Sequence, residues 1–213
     1  MSIRRLPVYI LLDTSGSMRG EPIHSVNVGL QAMLSALRQD PYALESVHLS
    51  IITFDIQARE SLPLTPLADV KLDEIPAPAS GATFMGAALE LLIQCVDRDV
   101  KKSTADAKGD WRPLLFLMTD GSPSDLHAFR QAIPEVKRRN FGSIVACAAG
   151  PKVKQDALRE LTDRVVLLDT MDAATFSGFF KWVSASVAAG SSSAGVSDQV
   201  TLPPPPPEVQ LVL

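Results

Sequence analysis

The residues of this 213-residue chain best suited to chemistry are two aspartates that end its most apolar runs. Asp13 closes PVYILLD (7–13) and Asp120 closes PLLFLMTD (113–120). The first also opens Asp13-Thr14-Ser15-Gly16-Ser17, so one carboxylate and the Ser15 and Ser17 hydroxyls share a turn. A third segment, Ser80-Gly81-Ala82-Thr83-Phe84-Met85-Gly86, presents the Thr83 hydroxyl at the start of a predicted helix, behind a glycine that permits close backbone approach. Two carboxylates and three hydroxyls, with no imidazole or thiolate among them, make a hard-oxygen donor set. Small octahedral Mg²⁺ suits that set better than zinc or copper, with Mn²⁺ or Ca²⁺ as substitutes. Each string also has a plainer use, because Asp and Ser in a strand-to-helix turn satisfy backbone N–H groups and a lone Thr83 serves as an N-cap.

The elements that carry these strings decide between the two uses. PVYILLD and PLLFLMTD are nearly continuous apolar runs, as expected of strands covered on both faces. VHLSIITF (47–54), SIVACAA (143–149) and VVLL (165–168) read as further strands, and 58–64 as an antiparallel edge strand reached by a tight turn at Asp55. Helical stripes alternate with them. Ile23, Val26, Leu30, Met33, Leu34 and Leu37 form one, stopped at Asp40-Pro41. Met85, Ala88, Leu89, Leu92, Ile93 and Val96 form another over 84–102, and Leu126, Phe129, Ile133 and Val136 a third behind a Ser124-Asp125 N-cap. A short helix is expected near 156–161 and a last one over 173–187, burying Phe176, Phe179, Phe180 and Val183, while proline-rich 67–79 predicts a surface connection.

This alternation predicts an α/β fold, a Rossmann-like doubly wound, mainly parallel sheet of six strands in the order 3-2-1-4-5-6, with one antiparallel edge strand and flanking helices. In that order the first and fourth strands are neighbours at the topological switch point, so Asp13 and Asp120 face one crevice. Two carboxylates about 6 Å apart at an effective dielectric near 20 repel by about 3 kcal/mol, and a divalent cation between them converts that cost into attraction.

Apolar residues make up 46% of the chain and charged residues 21%, enough to bury one sizeable core over 1–189. Residues 190–213 change character to Gly and Ser, then to Pro203–Pro207, and predict a flexible tail whose polyproline II rod suits an aromatic docking groove on a partner. Val209, Leu211 and Leu213 alternate there like one face of a strand that adds to a sheet edge. A net charge of −4 gives no field toward nucleic acid or an anionic membrane, and neither is expected as a partner. The apolar run behind Arg4 and Arg5 is too short for a secretory signal and has no small-residue cleavage site, so the expected address is cytoplasmic. Cys95 and Cys147 sit singly in apolar runs and read as reduced core residues.

The three strings, D-T-S-G-S at 13–17, S-G-A-T-F-M-G at 80–86 and T-D-G at 119–121, in that order and separation, resemble the von Willebrand factor type A (VWA) domain and its metal-ion-dependent adhesion site. The resemblance covers about residues 5–189, with Ala82 where the family commonly has a second glycine. It implies that Ser15, Ser17 and Thr83 donate hydroxyls to the ion while Asp13 and Asp120 bind it largely through water. A narrower resemblance, in D-P-Y-A-L-E at 40–45, I-I-T-F-D at 51–55 and K-G-D-W-R-P at 108–113, is to the bacterial TerY-type proteins of tellurium-resistance and stress-response systems. Similarity to that group implies the company of a serine/threonine kinase and a PP2C-type phosphatase.

An ion held by hydroxyls, with its acids set back behind water, keeps much of its charge and one open position, which an acidic residue of another protein would complete. The expected function is therefore an Mg²⁺-dependent protein-binding scaffold and not an enzyme. The alternative is a metal-dependent phosphohydrolase with Asp13 as nucleophile. Ser15 stands where haloacid-dehalogenase-type phosphatases place a second acid, and no G-x-x-x-x-G-K-[ST] phosphate loop, G-x-S-x-G elbow or H-E-x-x-H pair is present. His127 lies near the Asp120 loop but reads as a surface helix residue, and Lys137-Arg138-Arg139 as cations opposing a helix dipole. Trp111 and Trp182 read as packing residues.

Overall fold

The computed structural model describes residues 4–78, 81–150, 153–193, 202–207 and 209–212. Strand β1 (Leu6–Asp13) is buried along its whole length, and parallel neighbours β2 (Val47–Phe54) and β4 (Leu114–Thr119) pair on either side of it. Strand β3 (Ala58–Pro66) folds back antiparallel on β2, while β5 (Ser143–Ala149) and β6 (Val165–Leu168) extend the parallel sheet beyond β4. The order of the first six is thus 3-2-1-4-5-6, as the alternation of runs predicts.

Among the described residues, however, the sheet has seven strands, where the sequence predicts six. Gln210–Val212 form β7, which pairs antiparallel with β6 through Val165–Val212, Val166–Leu211 and Leu167–Gln210, so both edges of the sheet are antiparallel. The expected stripe of Val209, Leu211 and Leu213 does not form a single face. Val209 lies in the turn before β7, its N–H donating to the Pro206 carbonyl, and is buried, whereas Leu211 is exposed. Leu213 and residues 194–201 of the tail lie outside the described residues.

Because side chains of a strand alternate, β1 feeds two cores. Leu6, Val8, Ile10 and Leu12 face α1 (Glu21–Arg38) and α6 (Ala173–Ser193), and Tyr9 and Leu11 face α3 (Met85–Asp99) and α4 (Leu126–Arg138). Helix α1 meets α6 closely enough that a Cβ on Gly29 would stand 2.3 Å from Cδ2 of Phe180. Asp40-Pro41 ends α1 as predicted, and the same pair starts a second helix that sequence reasoning missed. Its carboxylate accepts the Ala43 N–H at 2.9 Å and Pro41 occupies a first-turn position, giving α2 (Pro41–Ser46). Helix α5 (Asp156–Leu161) falls where it was expected, while α6 runs six residues beyond the predicted end at 187. Among the described residues no helix is long and apolar enough to cross a membrane. Both cysteines are free and buried.

Candidate metal centre

Asp13 is the last residue of β1, and the parallel register sets Leu12 opposite Met118, so Asp13 and the Thr119-Asp120-Gly121 turn emerge side by side at the carboxyl edge of the sheet. The turn after Asp13 is tied to β2 as well, because Thr14 donates both its N–H (2.8 Å) and its hydroxyl (3.2 Å) to the carbonyl of Phe54. Asp13 is only 1% exposed, and both of its oxygens are engaged. Oδ1 accepts the Ser15 N–H at 2.8 Å and Oδ2 accepts the Thr119 hydroxyl at 2.6 Å. Thr119 is itself oriented by the Gly121 N–H, which donates to its Oγ1 at 3.1 Å.

A second line of contacts closes the mouth of the crevice. Ser17 donates to Oδ1 of Asp120 at 2.8 Å, and the Ser15 and Ser17 hydroxyls lie 3.2 Å apart. Thr83 comes from the other side. Its N–H donates to the Ser124 hydroxyl at 3.0 Å and its carbonyl accepts the Ser124 N–H at 2.9 Å. The bare face of Gly121 lets it in, since a Cβ there would stand 3.2 Å from Thr83 Oγ1. The structure therefore gathers Asp13, Ser15, Ser17, Thr83 and Asp120 around the ends of β1 and β4. Ser80, the first residue of the third string, lies outside the described residues.

Three residues that hold the site were not assigned to it by sequence reasoning. Thr119 fixes Asp13, and its place beside Asp120 in a buried strand end was the available signal. Asp55 directly follows β2; its carbonyl accepts the Phe84 N–H at 2.8 Å and so holds the Thr83 loop. Asp125 corrects an expectation. In place of capping its own helix, it accepts the Gly86 and Ala87 N–H groups, both at 2.9 Å, and so caps α3 across the gap. Thr83 is correspondingly not the N-cap of α3; Phe84 occupies that position without a side-chain bond. Gly86 is required for this contact, because a Cβ there would meet the Phe129 N at 2.5 Å.

Burial pushes the Asp13 carboxyl up to about 6, against the hydrogen bonds from Thr119 and Ser15 that favour its charged form, and the charge of Asp120 adds to the rise. Burial raises Asp120 as well, opposed by the hydrogen bond from Ser17. Two acids that resist ionising beside one another, ringed by hydroxyls, form a site with a deficit of positive charge. Among the described residues no three His, Cys, Asp or Glu side chains cluster as metal donors, so the hydroxyls are indispensable to any ion held here. Such a donor set fits a hard divalent cation.

His127 is exposed on α4 and takes no part. The basic run at the end of α4 is occupied locally, with Lys137 on the Glu160 carbonyl, Arg138 on Glu135 and Arg139 on Asp97 and Glu135. Trp111 carries the Arg4 guanidinium 3.6 Å above its ring.

The family model of the von Willebrand factor type A domain matches residues 8–175. The chain belongs to the von Willebrand factor type A domain family. No curated protein sequence matches it. Solved structures share its fold at low identity. The proximal thread matrix protein 1 of the mussel byssus, in a form with a zinc-occupied MIDAS motif, superposes with a TM-score of 0.57 at 15% identity, covering 87% of this chain and 48% of that one. A von Willebrand factor type A protein from Catenulispora acidiphila gives 0.60 at 19%, covering 87% and 43%. The pilus adhesin SpaC of Lactobacillus rhamnosus GG gives 0.67 at 12%, covering 89% and 31%. The chain thus spans less than half the length of each of these proteins.

Proposed function

We propose that the crevice holds Mg²⁺ and that the chain is a non-catalytic binding module whose partner supplies the last ligand as an acidic side chain. The observation that carries this reading is the burial of Asp13 beside Asp120 within a ring of three hydroxyls, an arrangement unfavourable without a cation. Ser15, Ser17 and Thr83 would hold the ion directly, and Asp13 and Asp120 largely through water. When bound, the ion supplies a concentrated positive charge that attracts a carboxylate. The chain's own residues set its position, Thr119 and the Ser15 N–H by fixing Asp13, and Ser17 by fixing Asp120. Mn²⁺ and Ca²⁺ are accepted as substitutes, and the zinc named for the mussel protein's motif supports a divalent ion in a site of this kind.

The phosphohydrolase reading is disfavoured by the same geometry. A nucleophilic carboxylate must be reached by the phosphate it attacks, and Asp13, 1% exposed and turned toward the Ser15 N–H and the Thr119 hydroxyl, offers little approach. On the narrower resemblance, the module works in the cytoplasm within a TerY-type tellurium-resistance or stress-signalling system, with a serine/threonine kinase and a PP2C-type phosphatase among its partners. The test is capture of such partners by the full chain in Mg²⁺. Capture lost in EDTA and in Ser15→Ala supports the reading; capture unchanged by EDTA contradicts it.

A further inference from the structure

The C-terminal segment does not lie apart from the domain. Leu202 packs on the core that contains α6, Pro203–Pro207 cross the outer face of that helix, and Val209 is buried to 2% exposure before β7 joins the β6 edge. At the crossing, the Trp182 indole N–H donates to the Pro203 carbonyl at 2.9 Å. A cavity of about 490 Å³ lies between this strap and the helix, lined by Ser177, Gly178, Lys181, Trp182 and Ala185. Along the proline run Pro203 and Pro206 are half-buried while Pro204 and Pro207 are exposed, the three-residue period of a polyproline II rod lying on a surface. Gln210 adds a hydrogen bond to Asp169 at 3.0 Å.

Two recognition devices are combined here. A polyproline II segment has no internal hydrogen bonds and proline carries no N–H, so its carbonyls need donors. An indole, which donates and cannot accept, complements such a segment. A strand edge offers unpaired backbone groups that a short added strand satisfies. We infer that the outer face of α6 and the free edge of β6 form a bipartite peptide-binding site for a polyproline II segment followed by a short β-strand, and that its resident ligand is the chain's own 202–212. The tail expected from the sequence to dock an aromatic groove on a partner instead fills such a groove in cis. Among the described residues the attachment is wholly non-covalent: three strand pairs, the indole and glutamine hydrogen bonds, and the packing of Leu202 and Val209. The strap is therefore an exchangeable ligand, and while it is bound both the groove and the proline rod are closed to other proteins. This inference is independent of the metal centre.

The test uses the full chain with a protease site placed within 194–201 and cut only after folding. The fragment carrying 202–213 stays attached in native mass spectrometry, and excess labelled peptide 202–213 displaces it. Trp182→Phe, which removes the indole donor, raises by about tenfold the protein concentration below which the cut fragment dissociates on dilution. In the uncut chain, Val209→Asp binds the labelled peptide at least tenfold more tightly than the parent, because the cis occupant no longer competes. Immediate release on cutting with unchanged Trp182 fluorescence overturns the inference. So does a concentration-dependent dimer of the uncut parent chain that exchanges strands, which makes a second copy the occupant.

Discussion

The crevice at the ends of β1 and β4 and the strap over α6 and β6 are both built from segments remote in the chain, yet they are held by opposite kinds of interaction. In the crevice, polar groups are forced together by strands buried on every side. Asp13 has no freedom to leave, because β1 is buried over all eight residues and Thr14 is tied to Phe54. In the strap, pairing with the β6 edge, one indole hydrogen bond and the burial of Val209 hold a segment that cannot fold alone. Rigid framework with an electrostatic cost marks a place where something of opposite charge binds. Docking of a chain-end segment by strand addition and an indole hydrogen bond marks a place where a ligand of the same kind can exchange.

The largest expected effect tests the cost in the crevice. Without metal, the raised carboxyl of Asp13 makes the folded state prefer the proton. Stability from this group is then fully present below the ordinary value of 3.8 and is lost as the pH rises through about 6. The difference amounts to about 3 kcal/mol. Urea unfolding of metal-free protein between pH 4 and 8 should show most of that decline, and Asp13→Asn should flatten it; a parent protein whose stability falls no more than that of Asp13→Asn over this range contradicts a strained crevice.

Next comes the frame under the strap. Gly29→Ala pushes a methyl against Phe180 and should cost about 2 kcal/mol in thermal or urea unfolding. A neutral outcome means that α6 is not fixed by α1, and the contrast between a rigid frame and a loose strap fails. Thr119→Val removes the hydroxyl that holds Asp13 Oδ2 and should weaken Mg²⁺ binding by roughly tenfold, whereas Thr119→Ser retains it. The smallest effect belongs to Asp125, whose loss in Asp125→Ala uncaps α3 and should lower stability by about 1 kcal/mol with little change in ion affinity.

Much of the crevice was legible in the sequence because two of its three strings follow an unmistakable buried run, and strand order in a doubly wound sheet brings the ends of the first and fourth strands together. What the strings do not record is support from across the fold. Asp125 reads as the cap of the helix it precedes, and only the close approach of α3 and α4 at Gly86 redirects it to the neighbouring helix. The second edge strand was legible only in part. The alternation of Val209, Leu211 and Leu213 reads as a strand suited to a sheet edge, but nothing in it points to β6, and Trp182 reads as ordinary packing until its indole is seen to meet Pro203. Local patterns disclose elements buried on both faces; contacts whose partners lie in another segment become visible only once the chain is folded.

The most direct measurement for the central claim is isothermal titration of the metal-free full chain with Mg²⁺ at pH 7.5, beside Asp13→Ala. The account predicts one site in the parent chain and none in the variant, with the variant still folded by circular dichroism. Equal Mg²⁺ binding by both proteins, or no binding by the parent chain, would contradict it.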